Sequence, residues 1–184
     1  MPNRFEQPAI YLQSGDPEAE NVATLAYPGT LGARFTVIQP SRVAPGAEAG
    51  RSKRYQLIKT DSTMTVAPYP AATAWWSDKS AYLVTTNATN RNRVAGVFQN
   101  AITPGNYGCV QIGGPASVKL LDADMAAVAI GEAIIPSSTN AKATRVAVGT
   151  APTHTPLGWV AGPPLTVDAA NATAVVDLNV PETT

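Results

Sequence analysis

Short runs of β-branched and other apolar residues recur along the chain, and glycine, proline and polar positions separate them. Apolar runs of this length, bounded by turn residues, are typical of β-strands. Seven such runs stand out: Tyr55–Ile58, Ala81–Thr86, Val94–Phe98, Gly108–Ile112, Ser117–Leu120, Thr144–Val148 and Ala174–Leu178. Their number and spacing predict an all-β fold with a compact body that resembles a β-barrel or a sandwich.

Two stretches interrupt this strand pattern, and we predict a turn in one and a helix in the other. Gly113–Pro115 separates two of the runs and predicts a turn between strands. Asp122–Ile130 suits a helix, because Asp122 is a favoured N-cap residue and Gly131 a favoured residue just past a helix end. We predict at most this one short helix.

The distribution of breakers divides the chain into three parts. Residues 1–33 show little alternation and contain Pro-Gly turns, so we predict an extended N-terminal arm. Residues 34–162 form the predicted β-rich body, in which the polar stretch Gln39–Lys53 is predicted to be a loop. Pro163 and Pro164 then separate the body from residues 163–184, a predicted C-terminal strand or tail.

Composition excludes several classes of protein. The 184 residues carry 13 basic and 13 acidic side chains, and the charged fraction is only 14%, so a binder that works by neutralising phosphates is disfavoured. The single Cys109 cannot form an internal disulfide, and with a single His154 it cannot build a thiolate or histidine metal site. We therefore predict no cofactor, no metal and no nucleic-acid partner. No apolar run is long enough for a transmembrane helix, and the first residues lack the apolar stretch of a secretory signal, so we expect synthesis in a reducing cytoplasm.

The net charge of zero conceals a segregation of charge along the chain. Residues 1–33 have one basic and four acidic side chains, residues 34–119 ten and three, and residues 120–184 two and six, which gives −3, +7 and −4. Two basic groups lie in the middle part: Arg51, Lys53 and Arg54, and Arg91 with Arg93. They are interpreted as solvated loop faces, as a docking surface for an acidic protein, or as one half of a contact between copies of the chain. Nucleic-acid binding is the least favoured interpretation, because no aromatic residues are interleaved with the basic ones.

Few residues suggest catalysis. Cys109 follows Gly108 in an apolar run, which favours a buried structural thiol, and His154 stands in a proline-flanked loop. A Cys–His dyad is the less favoured alternative. Because paired carboxylates and a Ser-His-Asp set are not recognisable, we predict that the chain is not an enzyme.

Trp75 and Trp76 are adjacent in the sequence and are considered as neighbouring positions of a strand. Adjacent residues of a strand point to opposite faces, so one indole is expected in the core and the other at the surface or against a partner subunit, where tryptophan is favoured. The alternative, given equal weight, is that surrounding loops shelter both.

Residues 94–161 resemble the capsid decoration (cement) proteins of tailed bacteriophages. The resemblance is carried by Val94–Val97, by the run Gly105–Leu120 with its Gly-Cys-Val-Gln-Ile-Gly core, by Ala129–Ser137 with its Gly-Glu-Ala-Ile-Ile-Pro-Ser ending, and by Leu157–Val160. It covers about a third of the chain and leaves residues 1–60 unmatched.

The resemblance implies a protein of the outer surface of a phage head that stabilises the shell. The implied partners are the major capsid protein and further copies of the chain, as a homotrimer in preference to a homodimer. The N-terminal arm would add a strand to a capsid edge and bury its apolar residues. The expected contact residues are Phe5, Ile10, Tyr11, Leu12, Arg51, Lys53, Arg54, Trp75, Trp76, Arg91 and Arg93.

Two other functions stay open at this stage. One is a virion surface domain that recognises host glycans or a receptor, with Trp75, Trp76 and Tyr82 as stacking platforms. The other is a small β-fold hydrolase that uses Cys109 or His154.

Overall fold

A computed structural model describes residue 12 and residues 16–25, 28–38, 52–125, 128–161 and 173–180. These residues form an all-β structure, as predicted. The strands are β1 Asn21–Val22, β2 Arg34–Ile38, β3 Ser52–Thr60, β4 Thr73–Asp78, β5 Leu83–Thr85, β6 Val94–Phe98, β7 Tyr107–Lys119, β8 Ala133–Pro136, β9 Ala143–Val146, β10 Gly158–Val160 and β11 Thr173–Asn179. A short helix, α1, spans Asp122–Met125, and 3-10 turns span Pro28–Thr30 and Ala88–Asn90.

Five of the strands close into a barrel, in the order β3, β5, β4, β6, β7 and back to β3. The β3–β5 pairing is parallel and the other four are antiparallel. β2 extends the sheet beyond β3, and β1 pairs with the start of β7. A closed barrel leaves its own strands without free edges, which stabilises a set of otherwise short strands.

β7 is longer than the barrel and carries a second sheet. Its second half, from Gly113 to Lys119, pairs with β11, and β10, β8 and β9 follow in that order. One strand thus belongs to both halves of the molecule. The core between the halves contains Trp75, Val94, Val97, Ala116, Val118, Leu120, Ile134, Ala143, Leu157, Val160, Ala174, Val176 and Leu178.

The predicted turn at Gly113–Pro115 is wrong, because β7 runs through these residues without a break. Gly114 has a positive φ of 80°, and the register with β3 shifts at this level. The buried amide of Gln111 donates hydrogen bonds to the carbonyl oxygens of Gly113 at 3.1 Å and Pro115 at 2.9 Å. The three residues therefore form an irregularity that redirects β7 from the barrel to the second sheet, as bulges do.

The predicted helix is shorter than expected. α1 ends at Met125, and the N–H of Gly131 donates to the carbonyl of Val160 at 2.9 Å. Gly131 therefore joins the β10 region and does not cap a helix. The side chain of Asp124 accepts a 2.5 Å hydrogen bond from Thr144, which ties α1 to β9.

Part of the segment predicted as an extended arm packs on the body. Asn21 and Val22 pair with Gly108 and Tyr107 of β7. Leu12 and Leu25 are buried in a third core cluster on the outside of the barrel, with Tyr55, Leu57 and Cys109.

Three further elements can be compared with the bounds that the sequence predicts. The loop predicted for Gln39–Lys53 ends earlier, since β3 begins at Ser52; residues 39–51 lie outside the described residues. The strand predicted for Ala81–Thr86 is reduced to Leu83–Thr85, because Tyr82 has a positive φ of 50° in the preceding turn. The strand predicted at Ala174–Leu178 is confirmed as β11, Thr173–Asn179.

Candidate interaction surfaces

The expected contact residues fall into three groups. Phe5, Ile10, Tyr11 and Arg51 lie outside the described residues. Leu12, Lys53, Trp75 and Trp76 are buried, whereas Arg54 and Arg93 are exposed and Arg91 is half-buried. The structure thus does not bring the set together into one surface.

The expectation that Trp75 or Trp76 contacts a partner is wrong, because their exposed fractions are 0% and 4%. Their side chains do alternate, but β4 has a core on each face. Trp75 packs into the core between the two sheets, and Trp76 packs into the barrel cluster with its ring edge-on to Tyr82, 6.3 Å between centroids. The two indoles are therefore sheltered by their own chain and cannot serve as glycan-stacking platforms.

Lys53 is occupied within the chain. Its Nζ lies 3.1 Å from Oε1 of Glu18, and the Tyr55 hydroxyl donates a 2.5 Å hydrogen bond to the same oxygen. Burial, followed by this bond to Glu18, raises the pKa of Tyr55 far above its ordinary value. The acidic N-terminal part and the basic middle part of the chain thus meet each other here, which removes Lys53 from the candidate docking residues.

We expect Glu18→Gln to lower the free energy of unfolding by about 1–2 kcal/mol, because it leaves the buried ammonium of Lys53 without this carboxylate. The matched control is Asp122→Asn. Asp122 pairs with Lys142 at the same 3.1 Å, but with a carboxylate side chain that is 55% exposed, so we expect a loss of at most about 0.5 kcal/mol. Urea unfolding of both variants measures the difference, and equal losses would contradict it.

Arg54 remains available at the surface. Its guanidinium lies directly over Gly113, where a Cβ would overlap Nε, and Nη2 donates to Oδ1 of Asn179 at 3.5 Å. Arg93 is also exposed. The hydrogen bond from the Ser80 hydroxyl is the main cause that lowers the pKa of Asp78, and the positive charge of Arg93 lowers it further. Arg54 and Arg93 are thus exposed cations on different elements, β3 and the loop before β6.

An exposed aromatic residue that the sequence did not single out is Trp159. It is 48% exposed at the centre of β10, while Gly158 and Val160 on either side are buried. The run Leu157–Val160 has no polar residue, so alternation could not assign an outward face to it. No local sequence signal singles out Trp159, because its outward face follows from the pairing of β10 with β11, in which it lies opposite the exposed Asp177.

The two candidate nucleophile and base residues lie in different environments. Cys109 is 2% exposed in the apolar cluster under Leu12 and Leu25, and burial raises the pKa of its thiol well above the ordinary value. His154 lies in a surface depression beside Asn92, Thr153 and Thr155. A protonated buried thiol is a poor nucleophile, which removes the basis for a Cys109 hydrolase.

The described residues contain no group of three or more histidine, cysteine, aspartate or glutamate side chains that could hold a metal ion. In the same residues, no helix is both long and apolar enough to cross a membrane.

We expect stability to fall at alkaline pH through Cys109 and Tyr55. The pKa values of both groups are raised above 9.0 and 10.0 respectively, so folding keeps a proton that the unfolded chain releases. Stability is therefore fully present below pH 9 and then falls by up to about 1.4 kcal/mol per pH unit for each group. Urea unfolding from pH 8 to 11 measures the slope; Cys109→Ala should reduce it above pH 9 and Tyr55→Phe above pH 10. Curves parallel to that of the wild type would contradict the assignment.

Comparison with known proteins places the chain in no family. No family model matches it, and neither a curated protein nor a solved structure matches it significantly.

Proposed function

We propose that the chain is a capsid decoration protein that binds the outer surface of a phage head and stabilises the shell. In this proposal it is not an enzyme, its partners are the major capsid protein and further copies of itself, and it uses neither nucleic acid nor a membrane. It would be made in the host cytoplasm and would act on the virion surface.

One observation carries the proposal. Each of the four stretches that resemble decoration proteins contributes to one core cluster, whereas Cys109, Val110 and Ile112 of the second stretch lie in the other two clusters. The four stretches supply Val94, Val97, Ala116, Val118, Leu120, Ile134, Leu157 and Val160 to the cluster between the two sheets. A degenerate motif whose four parts all contribute to one cluster is a stronger indication of shared architecture than four parts that never meet would be.

The packing of the N-terminal segment also supports the proposal. The ion pair of Lys53 with Glu18, together with the β1–β7 pairing, fixes residues 16–22 on the barrel. Residues 16–22 are already fixed and add no ordering cost on docking, which is otherwise roughly 1–2 kcal/mol for each backbone residue. Phe5, Ile10 and Tyr11 precede these residues and remain the proposed capsid contacts.

Undecorated shells of the phage that encodes the chain provide the test. We expect the purified protein to pellet with them in a fixed ratio to the major capsid protein. A chain that begins at Leu12 keeps the buried Leu12 and the Glu18 ion pair, so it should unfold at an unchanged urea concentration yet lose most of its binding. Failure of the full chain to pellet with shells would overturn the proposal, and full binding by the shortened chain would overturn the role of the arm.

The aromatic residues expected to stack on a glycan or receptor are not exposed for that role. Trp75 and Trp76 are buried, and Tyr82 is half-buried with its ring packed over Gly32. We therefore retain the decoration protein as the proposed function.

A further inference from the structure

We propose that the outer face of β10 and β11 binds a second copy of the chain about a two-fold axis. The face is defined by Trp159, Asp177, Asn179 and Arg54, and we call it the Trp159 face. This inference goes beyond the proposed capsid binding and is independent of it, because it concerns the free protein.

The centre of the Trp159 face is apolar, and its indole is half-exposed in the part of the chain that the structure describes. In β10, Trp159 is paired with Ala133 of β8 on one side, and Ala133 is paired with Val146 of β9. Directly paired residues of antiparallel strands place their side chains on the same face of the sheet. The half-exposed indole therefore stands beside a small residue and a half-buried valine, so that much of its ring is open to a partner.

The other side of the face carries both signs of charge. Asp177 is paired with Trp159 on β11 and is exposed. Asn179 lies two residues further on the same side of the strand and accepts the hydrogen bond from Arg54. Both charged residues are described, and no ion pair within 4.0 Å joins Arg54 to Asp177.

The absence of a side chain at Gly113 leaves room for the side chain of Arg54. The guanidinium of the exposed Arg54 lies in that space, along the face. A side chain that is held in place loses less entropy when it pairs with a partner group. Tryptophan and arginine are also the residues that most often dominate the binding energy of an interface.

The arrangement of charge favours a second copy over another partner. An acidic partner would repel Asp177, and a basic partner would repel Arg54. In a two-fold contact, residue i meets residue j and residue j meets residue i. Arg54 of each copy can then pair with Asp177 of the other, with the two Trp159 rings near the axis, and both charges are satisfied at once. The face thus favours a dimer, in contrast to the trimer implied by the family resemblance.

Light scattering of the free protein over a concentration series gives the first test. We expect a dimer of twice 19.1 kDa that dissociates on dilution. Trp159→Ser should weaken dimerisation at least tenfold with an unchanged circular dichroism spectrum. A wild-type monomer at all concentrations, a trimer, or a dimer that persists unchanged in Trp159→Ser would overturn the proposal.

A charge exchange separates a direct contact from a structural effect. Arg54→Glu and Asp177→Arg should each be monomeric, because each creates like-charge pairs in the homodimer. A mixture of the two variants should recover a dimer, since the new glutamate of the first variant then meets the new arginine of the second, and the unchanged Asp177 and Arg54 meet each other. Arg93→Glu makes the same change of charge away from the face and should dimerise as the wild type does. A mixture that stays monomeric, or an equal loss in Arg93→Glu, would overturn the two-fold pairing.

Discussion

Gly114→Ala is expected to lower the free energy of unfolding by about 3 kcal/mol or more. Gly114 has a φ of 80°, a backbone conformation that side chains other than glycine adopt only at a cost. A Cβ at this position would also overlap the carbonyl oxygen of Ser52, which is backbone and cannot turn away. Since β3 and β7 close the barrel here, relief of that overlap requires the two strands to separate.

Gly149→Ala is the matched control for this prediction. Gly149 has a φ of 86°, but no atom lies within 4 Å of the position that its Cβ would occupy. It therefore reports the conformational cost alone, which we expect to be about 1 kcal/mol. Urea unfolding at equal protein concentration measures both variants. Equal losses would show that the close approach to Ser52 contributes nothing.

The same residues show why local sequence could predict the strands but not their continuity. Val110 and Val118 belong to apolar runs that identify strands on each side of Gly113–Pro115. Two glycines and a proline are the usual signal of a turn. The chain continues as one strand because Gln111 supplies hydrogen bonds to the irregular carbonyls and because Ser52 approaches from β3. The second of these contacts joins residues that are far apart in the sequence, so it has no signature in a local window.

The candidate surface was predictable only in part for a related reason. Charge counting found the basic middle part of the chain, and Arg54 is indeed exposed there. It could not show that Lys53, one residue earlier, is buried against Glu18, since strand alternation and a long-range contact decide that. Trp159 was missed because tertiary structure decides its exposure: Val160 of β10 packs into the core between the two sheets, whereas the adjacent Trp159 lies on the opposite face of the strand.

Trp75→Ala is expected to have the second large effect, a loss of about 3–5 kcal/mol in the free energy of unfolding. The indole is fully buried, and it lies in the core that joins the barrel strand β4 to the second sheet. Its removal leaves a cavity lined by residues of both halves, which neither half can close alone. Against a total stability of about 5–15 kcal/mol for an ordinary domain, this loss is large enough to leave part of the population unfolded.

Two further variants make that prediction specific to the core. Trp75→Phe keeps most of the ring contacts and removes a buried indole N–H that has no hydrogen-bond partner among the described residues, so it should cost clearly less than Trp75→Ala. Val148→Ala truncates a side chain that is 73% exposed and should change stability by no more than about 0.5 kcal/mol. Urea unfolding followed by circular dichroism compares the three. If Trp75→Ala cost as little as Val148→Ala, the indole would not lie in the core, and the partner-contact interpretation of Trp75 would be restored.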